Sequence, residues 1–236
     1  MRYTRQELKQ NKFQESAAEA VHEVVEHRNT IVTLVVAVVL VAVLASGIWW
    51  YVTSHEEQAS AALGNAMLTY TAPVVAPTTA IPAGITAFTS DQDRLIASKK
   101  AFYDISDKYG WTHSGQYARY MAGISESEIG NFKVAEDQLR ALTNIRRKDL
   151  ASLAKLALAS VYRQEGRDAD AINLLQALID TPSGTVPKTS AQLALADLYE
   201  GGHQNDKALV IYQEIAKENP TGALAQIAKE HQAELK

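Results

Sequence analysis

An unbroken apolar run is the longest feature in the hydrophobic pattern of the chain. Residues 30–52 read TIVTLVVAVVLVAVLASGIWWYV and contain no charged side chain. At about 1.5 Å per residue, a helix of this length reaches about 33 Å, enough to cross a hydrocarbon core of about 30 Å. Trp49, Trp50 and Tyr51 stand together at one end, where amphipathic rings favour the headgroup level. The pattern predicts a transmembrane helix over residues 30–52.

Two other interpretations of the run are weaker. A buried core helix rarely continues so far without a polar face. A cleaved signal peptide would use the small residues Ala45 and Ser46 as its cleavage site. About 30 residues precede the run, however, and apolar residues continue beyond those small ones. We therefore expect an intact anchor.

The distribution of Lys and Arg predicts how this anchor is oriented. Five basic residues precede the run, and the first basic residue after it is Arg94. The five are Arg2, Arg5, Lys9, Lys12 and Arg28. Positive flanks stay in the cytoplasm. We expect a single-pass protein of the inner (plasma) membrane, with residues 1–29 as a cytoplasmic helical tail and the C-terminal domain periplasmic or otherwise extracytoplasmic.

Beyond the run, small and large residues recur at fixed spacings. Three alanines each follow a small residue by twelve positions and precede a larger apolar residue by four. The three sets are Gly123, Ala135 and Leu139; Ala159, Ala171 and Leu175; and Ala196, Ala208 and Tyr212. Pro182 and Pro220 follow the second and third sets, where they would end a helix. The pattern predicts three pairs of helices over residues 114–220.

These spacings resemble the tetratricopeptide repeat, in which small residues let two antiparallel helices touch and a larger one fills the space between them. The units here are 36 and 37 residues apart instead of 34. A position that is usually aromatic is Phe132 in the first unit but Asp168 and Asn205 in the others. The resemblance implies an all-α fold, a right-handed solenoid of helical hairpins behind the transmembrane helix. A generic bundle of amphipathic helices is the alternative.

Residues on both sides of these units extend the repeat pattern. Residues 61–70 and 95–110 fit the two helices of a degenerate first repeat over residues 53–113, interrupted by a Pro-rich loop at 71–93. Residues 221–236 fit one more amphipathic helix with a polar outer face, which a repeat array needs as an end cap.

The rest of the composition argues against catalysis and nucleic-acid binding. The chain has no cysteine, and its net charge is a mild −4. His22 and His27 flank two glutamates but lie five positions apart, so one helix face cannot present both to a zinc ion. No nucleophile elbow or phosphate-binding glycine pattern is present. We expect no enzyme activity, no cofactor and no metal.

The repeat resemblance also implies a concave groove lined by the first helix of each unit. Carried over, its partner-binding positions include Tyr117, Tyr120, Leu156, Arg163 and Leu193. Tyr120, Leu156 and Leu193 stand where clamp-type repeats place a basic residue for a C-terminal carboxylate. A carboxylate clamp is therefore not expected, and apolar or aromatic linings suit an extended or helical protein segment. Alternatively, some of these side chains only fill the interior of the superhelix.

The order of the parts resembles the YfgM-type, tetratricopeptide repeat-like membrane proteins of bacteria: a short tail, one span and degenerate repeats. The resemblance implies a membrane-anchored protein-binding scaffold that associates with the Sec translocon and periplasmic chaperones. The alternative is a structural tether in a cell-envelope assembly such as a pilus, the cell wall or outer-membrane machinery. The groove, the Pro-rich loop or the span itself could make the contact, and the sequence leaves the oligomeric state open.

Overall fold

A computed structural model describes residues 28–76, 84, 86–218 and 220–234. The predicted cytoplasmic tail therefore lies outside the described residues, apart from its last two positions. The chain divides into two compact units, with the boundary between Ser54 and His55. Each unit is described by itself.

The regular secondary structure of the described residues is helical, which confirms the predicted all-α class. The helices are α1 (Arg28–Tyr70), α2 (Asp91–Tyr109), α3 (His113–Ile129), α4 (Phe132–Arg140), α5 (Lys148–Gln164), α6 (Asp168–Asp180), α7 (Lys188–Gly201), α8 (Asn205–Glu218) and α9 (Ala223–Glu234).

The apolar run forms the N-terminal part of α1 in the first unit. Its apolar side chains are exposed along the described length of the run. Three hydroxyl groups within and beside it donate to backbone carbonyls about one turn earlier: Thr33 to Asn29, Ser46 to Val43 and Thr53 to Trp49. These three side chains are thus satisfied within the helix, as a hydrocarbon surrounding requires. By length and composition, α1 is a candidate membrane span.

In the second unit, the small residues of the repeat pattern lie where neighbouring helices touch. The three alanines at its centre, Ala135, Ala171 and Ala208, are completely buried. A Cβ added at Gly123 would lie only 2.8 Å from the Leu139 side chain. The helices therefore touch at the small-residue positions that the sequence pattern identified. The buried side chains of Leu139, Leu175 and Tyr212 fill the space beside these positions.

The turn between the two helices of each of the three repeat units places one residue in the left-handed backbone region. Gly130 has φ 91° and Gly166 has φ 71°, and His203 takes the same position in the third unit with φ 58°. Glycine enters this region without strain, whereas a residue with a Cβ costs about 1–2 kcal/mol. The three units thus share one turn geometry although the third lacks the glycine.

The predicted Pro-rich loop is partly described. Val75 N–H donates to the Phe88 carbonyl (2.9 Å) and Phe88 N–H donates to that of Pro73 (3.0 Å), which ties the two ends of the segment together. Ser90 accepts a hydrogen bond from the Asp93 N–H, so α2 begins at Asp91 and the loop is three residues shorter than predicted. Residues 77–83 and 85 lie outside the described part.

Three clusters of buried side chains form the core of the second unit. The first joins α2, α3 and the C-terminal part of α1, around Phe102. The second joins α4 to α7, around Leu139 and Leu175. The third joins α7, α8 and α9, around Tyr212. Each helix packs mainly on its neighbours in sequence, as expected of a repeat array.

Candidate functional site

A cleft of about 280 Å³ opens between α5, α6 and α7. Eight side chains line it: Leu156, Ala159, Ser160, Arg163, Leu175, Ala194, Asp197 and Leu198. The leucines make its floor apolar, and the alanines leave the space, because a larger residue in either position would fill it. The cleft is wide enough for one side chain of a partner.

Two opposite charges stand at the rim of this cleft. Arg163 is exposed, and no hydrogen bond or ion pair of its guanidinium is found within the described part of the chain. Asp197 already accepts a hydrogen bond from the Tyr212 hydroxyl (2.9 Å). Arg163 is therefore the charge with donors left for a ligand, and an apolar floor beside a free cation suits an apolar side chain next to a carboxylate.

The structure brings together two of the five predicted groove residues. Leu156 and Arg163 line the cleft from the same face of α5, about two helical turns apart. Tyr117 and Tyr120 lie next to each other on α3, with ring centroids 5.7 Å apart, and do not line it. Leu193 is half-buried against the cluster around Tyr212 and does not line it either.

The two tyrosines also pack against the core, as the alternative interpretation of the groove positions allowed. Tyr117 packs against the cluster around Phe102, and Tyr120 packs against that cluster and the next one. Burial also raises the pKa of Tyr120. Removing either ring would therefore disturb the core, which makes them poor positions for testing binding alone.

Sequence reasoning missed a polar cluster at the C-terminal end of the array. The single hydroxyl proton of Tyr212 is shared between the carboxylates of Glu200 and Asp197, each 2.9 Å from the hydroxyl oxygen, and His231 Nδ1 lies 3.1 Å from the Glu200 carboxylate. Burial, together with these two hydrogen bonds, raises the pKa of Tyr212. Asp197, Glu200 and His231 are also ligand types for a divalent cation. Only the contact between α9 and α7 could have revealed the cluster, because 31 residues separate His231 from Glu200.

A second polar cluster joins the first two repeat units around Glu136, which is only 3% exposed. Its carboxylate pairs with Arg140, accepts from Arg167 at 3.2 Å, and accepts from the Tyr162 hydroxyl at 3.1 Å. Burial alone would raise the pKa of Glu136, but hydrogen bonds from Arg167 and Tyr162 outweigh it and hold the pKa below the usual 4.5. The cluster is structural, because its groups satisfy one another.

Comparison with known families matches most of the chain. Residues 22–183 match the tetratricopeptide repeat-like domain, and residues 190–222 match the tetratricopeptide repeat. The first match includes the apolar run as well as the first two repeat units. No curated protein matches the chain significantly.

Proposed function

Because the chain belongs to the tetratricopeptide repeat-like family, we propose that it is a membrane-anchored scaffold that binds other proteins through its repeats. Families with this repeat are typically interaction scaffolds and not enzymes. The observation that carries the proposal is the pairing of repeat units with one exposed apolar helix long enough to cross a membrane.

The proposed topology places the N-terminus in the cytoplasm and the repeats on the extracytoplasmic side of the inner membrane. The support is the asymmetry of Lys and Arg around the apolar run. A reporter that is active only outside the cytoplasm, fused after Lys236, should be active. An inactive reporter, together with activity of a cytoplasmic one, would reverse the topology.

The cleft is the proposed contact for a partner protein. Its apolar floor would receive one apolar side chain, and Arg163 would pair with a neighbouring carboxylate of the same segment. Arg is enriched among residues that dominate binding energy, whereas Leu is not, so we weight Arg163 over Leu156. Tyr117, Tyr120 and Leu193 would act as support for the surface and not as direct contacts.

We propose further that the scaffold is an accessory subunit of a membrane complex such as the Sec translocon, together with periplasmic chaperones. This step is supported by the order of tail, span and degenerate repeats, which resembles the YfgM-type proteins. A tether in an envelope assembly would share the same architecture and differ only in the partner.

Site-specific photo-crosslinking separates these possibilities. A photoreactive residue at Ser160, in the cleft, should crosslink one segment of a partner, and the same residue at exposed Asn173 of α6 is the control. Adducts with translocon subunits or chaperones support the accessory role. Adducts with pilus, cell-wall or outer-membrane components support the tether. Equal labelling at both positions would contradict the cleft assignment.

A charge reversal then tests the role of the free cation. Arg163→Glu should reduce adduct formation roughly tenfold, the effect of losing about 1.4 kcal/mol of binding free energy. Arg146→Glu makes the same charge change at an exposed residue outside the cleft and should leave adduct formation unchanged. Equal effects of both variants would indicate a general charge effect and remove Arg163 from the site.

A further inference from the structure

A histidine and two carboxylates converge where α9 packs against α7. Asp197 and Glu200 lie three residues apart on α7, so both side chains leave the same face of that helix. His231 reaches this place from α9, with Nδ1 3.1 Å from the Glu200 carboxylate. One ligand atom from each of the three side chains lies within 4.8 Å of the other two. Side chains from two helices that are not consecutive in sequence thus meet at one point.

The buried Tyr212 forms the base of this cluster. Its side chain is completely buried, and its ring stacks on that of His231, with centroids 5.2 Å apart and planes inclined by 24°. Its hydroxyl oxygen lies 2.9 Å from both carboxylates. Metal sites use such hydrogen bonds and ring contacts to hold their ligands in orientation. The three side chains are therefore positioned without an ion.

Other carboxylates of this unit have permanent partners. Glu136 pairs with two arginines. Glu56 accepts from the backbone N–H groups of His113 (2.7 Å) and Ser114 (3.0 Å) at the start of α3, and from the Ser114 hydroxyl (2.6 Å). A carboxylate there is favoured by the helix dipole and by the N–H groups that the helix leaves unpaired. These two sites are complete by themselves.

The carboxylates of Asp197 and Glu200 lack a comparable cation. Among the described residues, no Lys or Arg lies within ion-pair distance of either one, and the basic group in contact is His231. The Tyr212 hydroxyl supplies one proton to both carboxylates. Two half-buried carboxylates next to a neutral imidazole favour a bound cation, because their repulsion is otherwise uncompensated.

The donor atoms determine which cation fits. One imidazole nitrogen and two carboxylate oxygens suit Zn²⁺, whereas Mg²⁺ and Ca²⁺ favour oxygen ligands alone. Zinc bonds of about 2.0–2.2 Å keep tetrahedral ligands about 3.4 Å apart. The distance of 3.1 Å between His231 and Glu200 is already close to this value. Their side chains are 34% and 29% exposed, so an ion and a water molecule can reach them from solvent.

We propose that Asp197, Glu200 and His231 form a zinc site that fastens α9 to α7. The ion binds Nδ1 of the neutral imidazole, whose proton then resides on Nε2, and water is the fourth ligand. The Tyr212 hydroxyl stays hydrogen-bonded to the carboxylates. From the sequence we expected no metal, because only the fold brings His231 to α7. The site requires neither the proposed membrane anchor nor the proposed partner.

Calorimetric titration of the full chain in detergent, without a histidine tag, tests the site. Zn²⁺ should bind, and both His231→Asn and Asp197→Asn should weaken this binding at least about tenfold, because each removes one protein ligand. Asparagine at 197 keeps an oxygen for the Tyr212 hydroxyl. The matched control, His203→Asn, removes an exposed imidazole at a left-handed position that asparagine tolerates, and should leave the affinity unchanged. Ca²⁺ and Mg²⁺ should not compete.

Hydrogen exchange shows where the ion acts. At ten times its dissociation constant, zinc should slow amide exchange in α9 about tenfold, because opening of α9 must first release the ion. The same addition should leave exchange in α9 of His231→Asn unchanged. Amides of α2, which does not contact the cluster, serve as the internal reference in both proteins.

Zinc binding that both ligand variants weaken, together with protection of α9, supports the site. Absence of zinc binding overturns it and leaves the hydrogen bond between His231 and Glu200 as the contact. Equal affinity in wild type and both ligand variants indicates zinc on other side chains, such as His22 or His27, and also overturns it. Binding at the site without protection of α9 overturns the fastening of the two helices.

Discussion

Glu136 in the first repeat unit and Ile172 in the second occupy the same register position, one residue after the buried alanine of the second helix. Around Glu136, a buried carboxylate joins the first unit to the second through Arg167 and Tyr162. Around Ile172, the second repeat unit meets the third repeat unit through apolar contacts. A separate cleft of about 300 Å³ lies beside them.

The equivalent residues explain why the two junctions differ. Arg140 and Arg167 of the first junction correspond to Gln176 and Gln204 of the second, so the arginines that would pair with a carboxylate are absent there. At the second cleft, the side-chain oxygen of the buried Gln192 has no hydrogen-bond partner among the residues that the structure describes. The repeat units therefore share the same helix geometry, but the side chains at the two interfaces between them differ. Each interface contributes its own term to the stability of the array.

The largest change in the free energy of unfolding should come from a buried alanine position, which both junctions between repeat units share. Ala171→Leu adds three heavy atoms to a completely buried position and should lower the free energy of unfolding by about 3 kcal/mol, the upper end for an overpacked core. Ala177→Leu, at an exposed position of the same helix, should change it by at most about 0.5 kcal/mol. Urea unfolding followed by circular dichroism measures both. Equal midpoints would show that the repeat register is misplaced.

Neutralising the carboxylate tests the first junction by itself. Glu136→Gln should cost about 2 kcal/mol, because a buried charge-assisted hydrogen bond is lost while the site keeps its shape. Asp137→Asn removes a neighbouring surface ion pair, 3.6 Å from Lys133, and should cost less than about 0.5 kcal/mol. If the two variants unfold alike, the buried cluster does not hold the junction.

Acid should weaken the first junction in the same way. The pKa of Glu136 is below 4.5 in the folded protein and close to 4.5 when unfolded, so its contribution is complete above pH 4.5 and is lost as the pH falls through the folded pKa. The wild-type protein should therefore approach the stability of Glu136→Gln at low pH. Urea midpoints measured between pH 7 and acid would converge for the two proteins; a constant difference would contradict the lowered pKa.

The smallest contrast concerns the tyrosines at equivalent positions of the two junctions. The Tyr162 hydroxyl accepts from Arg140 (2.7 Å) and donates to Glu136, so Tyr162→Phe should cost about 1 kcal/mol. No hydrogen bond of the Tyr199 hydroxyl is found in the described part of the chain, and Tyr199→Phe should stay within about 0.5 kcal/mol of wild type. A reversed order of their melting temperatures would remove the distinction between the junctions.

The helical architecture could be predicted because its determinants recur in the sequence. Ala135, Ala171 and Ala208 had to be small for helices to touch, and their spacing is visible without any structure. The left-handed turn of the third unit was harder to recognise, since His203 stands where the other units have glycine. The end of the Pro-rich loop was also hard to place, because the start of α2 at Asp91 depends on one hydrogen bond, from the Asp93 N–H to the Ser90 side chain.

The site was less predictable, because it depends on contacts between units. Sequence positions suggested Leu156 and Arg163, but the cleft between them also needs Leu175 from α6 and Leu198 from α7. A repeat position likewise indicates which way a side chain points but not how much of it a neighbouring helix covers. Tyr120 illustrates this, since two core clusters meet at its ring.

The hydrogen bonds of Glu56 have a consequence for the order of folding. Most helices meet their neighbours in sequence, so their contacts close short loops, but the bonds from Glu56 to Ser114 close a loop of 58 residues that includes the Pro-rich segment. Longer loops lose more entropy on closure, and non-local contacts slow folding. The helical pairs from α3 onward can form first, and the contact between Glu56 and the start of α3 is then completed last.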